Sequence, residues 1–107
     1  IGLQNYFKAN PDKFIDRLSK GPPAEYRWLA WRFMADLICS KKKGHYEDCL
    51  RALNPTSKAL HDIDKDINRT FPNHPYFNIE NKGNFGQETL RNVLGAYSVN
   101  DKQVGYC

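Results

Sequence analysis

The sequence has few cysteines and no long apolar run. Its three cysteines are an odd number without Cys-x-x-Cys spacing, so neither a zinc cluster nor a disulfide framework is predicted. A reducing, cytosolic setting fits this cysteine usage. No apolar run approaches the about 18 residues that a membrane-spanning helix needs, and the first residues lack the pattern of a signal peptide. The sequence therefore predicts no membrane insertion of its own.

A strong charge of one sign is also missing. Sixteen Lys and Arg against 12 Asp and Glu leave a formal charge of +4, which favours at most an acidic partner or an anionic membrane face. The densest basic run, Lys41–Lys43, has no interleaved aromatics, and we interpret it as a solvated loop. A basic helical nucleic-acid binder is an alternative that the small, scattered charge disfavours, and steep salt dependence of binding would be its signature.

Self-contained catalytic motifs are absent from the sequence. The three histidines share no spacing, no serine lies in a nucleophile-elbow setting, and no glycine-rich run follows a strand. We therefore expect no nucleotide, cofactor or metal site in this chain. His45, His61 and His74 are interpreted as structural residues at or near the surface.

Apolar and aromatic residues are plentiful, at 40% and 13% of the 107 residues, which argues for a folded chain. The length fits one small domain or a piece of a larger one. Because the sequence lacks an initial Met and ends abruptly at Cys107, we expect that it is cut from a longer protein at both ends.

Helical signals recur along the chain, and no segment alternates apolar and polar residues as a strand does. Asn10-Pro11 is typical of a helix start, and Gly21 ends that helix. Pro22-Pro23 then precede a second helix. Three further helices are indicated by apolar residues three and four apart, namely Tyr46, Cys49, Leu50 and Leu53; Leu60, Ile63 and Ile67; and Leu90, Val93, Leu94 and Tyr97. These five helices predict an all-α fold.

The second predicted helix is the most apolar, and we expect it to be mostly buried. Residues 72–86 contain two Pro, two Gly and four Asn, which predicts an ordered loop, and residues 98–102 predict a polar turn. The apolar residues of the second helix are Tyr26, Leu29, Trp31, Phe33, Ala35, Leu37 and Ile38.

One segment carries a candidate functional residue, Arg69. At about 100° per residue, Ile63 and Ile67 face the core while Arg69 lies roughly 120° or more from both, near the helix end. Arg69 is therefore expected to be available to a partner. Asp66, three residues earlier, can hold its guanidinium in one orientation. Spacing alone leaves open that the two form an ordinary surface ion pair.

The order of motifs between Gly21 and Cys107 resembles the TBC family of Rab GTPase-activating proteins. The second motif corresponds to Ile-x-x-Asp-x-x-Arg, and the last to the start of Gly-Tyr-x-Gln-Gly. The matching residues are Gly21-Pro22-Pro23 with Arg27–Trp31; Ile63, Asp66 and Arg69 with Thr70-Phe71-Pro72 and Phe77; Gly86-Gln87 with Leu90–Ser98; and Val104–Cys107. The resemblance implies an N-terminal helical extension over residues 1–20 and the N-terminal half of a TBC domain over residues 21–107.

For function, the resemblance implies that Arg69 is an arginine finger, supported by Asp66, that enters the active site of a Rab-family GTPase in its GTP-bound state. GTP and Mg²⁺ would be bound by that partner, and this chain would need no cofactor. The expected setting is vesicle traffic, in the cytoplasm or peripheral to endomembranes through the partner. The family's glutamine finger follows the position of Cys107, so the 107 residues alone are expected to have little activity.

The resemblance also assigns structural roles and leaves an alternative open. Trp31 is expected in the core and Arg27 in an internal pair, while Trp28 either packs on a further segment or contacts a partner. The alternative function is a catalytically inactive TBC-fold scaffold or a structural component of a larger assembly. The presence of both Asp66 and Arg69 favours the catalytic regulator.

Overall fold

The computed structural model describes residues 2–78 and 85–107. All regular secondary structure in these ranges is helical, which confirms the predicted all-α class. The chain forms two compact units, Ile1–Lys42 and Lys43–Cys107. The helices are α1 (Leu3–Ala9), α2 (Pro11–Ser19), α3 (Ala24–Ile38), α4 (His45–Ala52), α5 (Lys58–Ile67) and α6 (Gly86–Asn100).

The first unit is built around three phenylalanine rings, one from each of its helices. Phe14 and Phe33 are buried, with ring centroids 5.4 Å apart and edges turned to faces, and Phe7 lies 5.4 Å from Phe14 and 5.7 Å from Phe33. Edge-to-face contacts of this kind add to the burial of apolar area. Helix α1 was not predicted, because it has neither a capping side chain nor an acidic first turn. The contacts of Phe7 stabilise it.

Helix α3 is far more exposed than its sequence predicts. Only Ala30 and Phe33 are buried on it, whereas Trp31 is 61% exposed and Ile38 is 75% exposed. The prediction of a mostly buried helix is therefore wrong for this chain, as is the placement of Trp31 in the core. The physical reason is that two short helices, α1 and α2, contribute the aromatic rings that pack on one stripe of α3 only.

The other residues singled out on α3 are also at the surface. Trp28 is 71% exposed. Arg27 is exposed and makes no ion pair or hydrogen bond with the residues described here, so the expected internal pair is not formed within them. The boundary predicted between residues 20 and 21 stays a prediction.

The second unit packs α4, α5 and α6 around the apolar face of α5. The buried core is Leu60, Ile63 and Ile67, and Ile63 is completely inaccessible to solvent. This confirms the apolar face predicted from their spacing. Partly buried side chains that pack against this core are Leu53, Leu90, Leu94 and Tyr106.

Helix α6 approaches its neighbours closely at Gly95. A Cβ atom there would lie 2.7 Å from Cδ2 of Leu53 and 3.5 Å from Cδ2 of Leu60. Because the first distance is shorter than van der Waals contact allows, any larger residue would force Leu53 to shift. Gly95 therefore lets α6 lie against the core at this point.

The end of α6 lies later than predicted. The helix begins at Gly86, one residue before the predicted start, and continues through residues 98–100, which were predicted as a turn. The polar side chains do not end the helix, because Ser98 Oγ donates to the Gly95 carbonyl at 2.7 Å and stays within the helical pattern. The turn comes afterwards, where the Asp101 carboxylate accepts the N–H groups of Gln103 and Val104 at 3.1 Å each.

The predicted ordered loop over residues 72–86 is described only at its two ends, since residues 79–84 lie outside the described ranges. In its first part, His74 N–H donates to the Phe71 carbonyl and Phe77 N–H to the His74 carbonyl, both at 2.9 Å. These are turns, as the Pro and Asn content predicts. Gly86 belongs to α6 and not to the loop.

Candidate functional site

Helix α5 places Asp66 in its last turn and Arg69 just beyond its end. Ser57 caps the start, since its Oγ accepts the Leu60 N–H at 3.3 Å. After Ile67 the chain turns, with Arg69 N–H donating to the Asp66 carbonyl at 3.2 Å and Thr70 Oγ1 donating to the same carbonyl at 2.8 Å. Arg69 therefore lies on a hydrogen-bonded turn fixed to the helix.

The Arg69 side chain is open to solvent and is held by Asp66, as predicted. Its side chain is 78% exposed, while that of Asp66 is 32% exposed. Nε of Arg69 donates to Oδ1 of Asp66 at 2.9 Å, and Nη2 contacts the same oxygen. Both contacts use one carboxylate oxygen, so the remaining N–H groups of the guanidinium point elsewhere and can meet an external anion.

The other oxygen of Asp66 is bound by Tyr106, which the sequence did not identify as part of the site. The Tyr106 hydroxyl donates to Oδ2 of Asp66 at 2.8 Å. Tyr106 is half-buried, and its ring packs against the core that contains Ile63 and Ile67. We call Tyr106, Asp66 and Arg69 the tyrosine–aspartate–arginine network. The sequence marked Tyr106 only as part of the Gly-Tyr-x-Gln-Gly motif, and because no spacing rule connects residues 40 positions apart, it gave no signal for this contact.

The network shifts the ionisation of two of its members. The hydrogen bond from Tyr106 and then that from Arg69 lower the pKa of Asp66 below its ordinary value. The same contact raises the pKa of the Tyr106 phenol, because ionisation would remove the proton that the phenol donates; burial and the negative charge of Asp66 raise this pKa further. At neutral pH the aspartate is ionised and the tyrosine keeps its proton. Asp66 can therefore accept both hydrogen bonds, and Tyr106 has the proton that it donates.

Further ion pairs brace α5. Arg91 on α6 binds Asp64 through both carboxylate oxygens, at 2.6 and 3.1 Å, and this pairing lowers the pKa of Asp64. Lys58 contacts Asp62 at 2.7 Å and lowers its pKa as well. The Arg91 pair joins α5 to α6, so it helps to hold the helix that carries Asp66.

Acid should lower the stability of the second unit, because its paired aspartates lose their charge as the pH falls. The pKa values of Asp62, Asp64 and Asp66 are lowered in the folded chain, so their contribution to stability is present above about pH 4 and is lost as the pH falls through the folded values. We expect the thermal unfolding midpoint to fall below about pH 4. A double variant, Asp64→Asn with Asp66→Asn, should start lower and fall less. Parallel curves for the two proteins in circular dichroism would contradict this assignment.

Other kinds of site are not seen in the described residues. They contain no group of three His, Cys, Asp or Glu side chains that could hold a metal ion. Cys39, Cys49 and Cys107 are free thiols. His45 Nε2 lies 2.6 Å from Oδ1 of Asn100 and so joins α4 to α6, in keeping with a structural role. Among the described helices, none has the length and apolarity required to cross a membrane.

Comparison with known proteins points to one family. A family model for the Rab-GTPase-TBC domain matches residues 24–107. The human ecotropic viral integration site 5 protein homolog is 36% identical over 100 residues, which cover 94% of this chain and 12% of that protein. The Rab GTPase-activating protein eat-17 of Caenorhabditis elegans is 36% identical over 100 residues, covering 94% and 11%.

A yeast relative agrees with these two. The GTPase-activating protein GYP3 of Saccharomyces cerevisiae is 33% identical over 115 residues, which cover 94% of this chain and 18% of that protein. The chain thus spans less than a fifth of the length of these three relatives. No solved structure matches it.

Proposed function

Because this chain belongs to the Rab-GTPase-TBC domain family, we propose that its protein is a GTPase-activating protein for a Rab-family GTPase and that Arg69 is its arginine finger. The observation that carries this proposal is the Arg69 guanidinium, which is exposed beyond the end of α5 yet held by Asp66. An exposed cation without an anchor would sample many rotamers. Arg69 is instead oriented before any partner arrives.

The proposed chemistry is electrostatic. As the γ-phosphoryl group of GTP leaves, negative charge accumulates on the phosphate oxygens, and a guanidinium placed against them stabilises that transition state. Arg69 meets this need through its free N–H groups, while Asp66 keeps its Nε side engaged. The effect is supplied in trans, because GTP and Mg²⁺ are bound by the GTPase and this chain contributes no cofactor.

The partner is a Rab-family GTPase in its GTP-bound state. The names of two relatives support this choice, since one is a Rab GTPase-activating protein and another a GTPase-activating protein. We place the protein's work in vesicle traffic, in the cytoplasm, with attachment to endomembranes through the partner. The small net charge of +4 gives no support to nucleic acid as a partner.

The test is single-turnover GTP hydrolysis by a panel of Rab GTPases, with and without the full-length protein. We expect at least one GTPase to be accelerated in proportion to the added protein until saturation. Intrinsic hydrolysis of each GTPase is the control. If a broad panel shows no acceleration, the scaffold alternative replaces the catalytic one.

A further inference from the structure

We propose that Tyr106 is a positioning residue for Arg69, acting through Asp66, an inference that rests on the proposed role of Arg69. Tyr106 does not reach the guanidinium. It binds the carboxylate oxygen that Arg69 leaves free, so the two residues hold opposite sides of one side chain.

The need for a second contact follows from where Asp66 lies. Its side chain is in the last turn of α5 and is about a third exposed, so its carboxylate could turn in solvent if Arg69 were its only partner. Without a fixed anchor Arg69 would be mobile as well, because a long side chain that is 78% exposed has many rotamers. If the Asp66 carboxylate and the Arg69 guanidinium were bound only to each other, the pair would have no fixed orientation. The hydroxyl of Tyr106 holds the carboxylate in place.

Tyr106 is suited to this because its ring is anchored in the core. It packs against the cluster that contains Ile63 and Ile67, which flank Asp66 on α5. An aromatic ring has only two side-chain torsions, so packing fixes the hydroxyl position closely. The hydroxyl then donates to Oδ2 of Asp66 at 2.8 Å. The packed ring of Tyr106 thus fixes the orientation of the Asp66 carboxylate, and the carboxylate in turn orients the exposed Arg69 guanidinium.

The backbone before Tyr106 is also fixed. Gly105 has a positive φ of 58°, a conformation that a side chain would disfavour, and its N–H donates to the Asp101 carbonyl at 2.7 Å. Asp101 also accepts N–H groups of the turn through its side chain. This turn directs Tyr106 back towards α5. After this turn, Tyr106 and Cys107 line one surface depression together with Asp66.

The surrounding charges favour the hydrogen bond from Tyr106 to Asp66 and the pairing of Asp66 with Arg69. Tyr106 acts as the donor because the neighbouring carboxylate disfavours its ionisation, and Asp66 can only accept. Lys58 and Lys65 contact Asp62, at 2.7 and 3.5 Å, and do not replace Arg69 on Asp66. Removing the phenol oxygen would therefore leave Oδ2 to water, and the carboxylate would be free to turn.

The test is the Tyr106→Phe variant of the full-length protein, measured with the GTPase that the wild type accelerates. Phenylalanine keeps the ring in the core and removes only the hydroxyl. We expect the maximal single-turnover rate to fall about 10-fold to 100-fold, since a misplaced catalytic group costs rates of this order. The concentration for half-maximal rate should not change, because the variant alters the orientation of Arg69 and not the docking surface. Tyr46→Phe, at an exposed tyrosine on α4, is the matched control and should behave as wild type.

A double-variant comparison separates positioning from a general structural effect. If Tyr106 acts only through Asp66, then adding Tyr106→Phe to Asp66→Ala should lower the rate no further. Asp66→Asn provides a second route if Tyr106→Phe proves unstable, because the amide removes one of the two acceptor oxygens while keeping the size of the side chain. It should lower the maximal rate in the same way.

The outcomes distinguish this inference from the proposed function. If wild type accelerates hydrolysis, Arg69→Ala does not, and Tyr106→Phe equals wild type, Tyr106 has no positioning role and the arginine finger stands. Additive losses from Tyr106→Phe and Asp66→Ala would likewise overturn the inference. If wild type accelerates no GTPase, the proposed function fails and the inference fails with it.

Discussion

Replacing Arg69 by alanine should lower the stimulated rate of GTP hydrolysis by about 10³-fold to 10⁵-fold, the range that arginine fingers supply. The reason is that no other described cation shares its contact with Asp66 on the turn that follows α5. Folding should not change, because the side chain is 78% exposed and exposed ion pairs contribute little to stability. The measurement is single-turnover hydrolysis, with circular dichroism to verify the fold.

Two further variants sharpen this expectation. Arg69→Lys keeps the positive charge but loses the planar, forked arrangement of donors, so most of the stimulation should still be lost. Arg51 provides a matched control, because it forms the same kind of exposed i, i+3 pair with Asp48 on α4. Arg51→Ala should retain wild-type stimulation. Equal losses at Arg51 and Arg69 would indicate a general charge effect in place of a finger.

The second large effect is expected on stability, from Ile63→Ala. Ile63 is completely buried at the centre of the α5 core, so the variant loses apolar burial and leaves a cavity. Substitutions of this kind cost about 2–5 kcal/mol. For a unit of this size, the thermal midpoint should fall by at least about 8 °C, as followed by circular dichroism. Because Ile63 lies one turn before Asp66, stimulation should be lost as the unit unfolds.

The same substitution at an exposed position is the control. Ile38 lies at the end of α3 and is 75% exposed in this chain, so Ile38→Ala should change the midpoint by far less. If both variants lowered the midpoint equally, Ile38 would be covered in the full-length protein by a segment outside this chain. If Ile63→Ala had no effect, the core described for the second unit would be wrong.

Local sequence signals predicted most helices but not which side chains of each helix are buried by neighbouring elements. Helices α2, α4, α5 and α6 follow proline positions and apolar spacing, which act within a few residues. Helix α1 was missed because its stability comes from Phe7 packing on rings of other helices. The burial of α3 was overestimated because an apolar stripe shows which side chains would be buried by a neighbour, but not that a neighbour is present.

In the candidate site, too, the local contact was predicted and the long-range contact was not. Asp66 and Arg69 are three residues apart, so helical geometry predicted their contact, and the resemblance to a family supplied the reason to regard them as more than a surface pair. Tyr106 was marked only by its motif, and its contact with Asp66 could not be predicted, because this hydrogen bond joins residues 40 positions apart and depends on how the turn at Gly105 returns the chain to α5. Contacts across such distances require the packed structure.

The most direct test of the account is the affinity of wild type and Arg69→Ala for the Rab GTPase in two states. One is the GTP-bound ground state, and the other is the GDP–aluminium fluoride state that mimics the transition state. Because catalysis requires tighter binding of the transition state than of the ground state, wild type should prefer the aluminium fluoride state and Arg69→Ala should lose that preference, with ground-state affinity retained. Equal preference in the two proteins would contradict the arginine-finger role of Arg69.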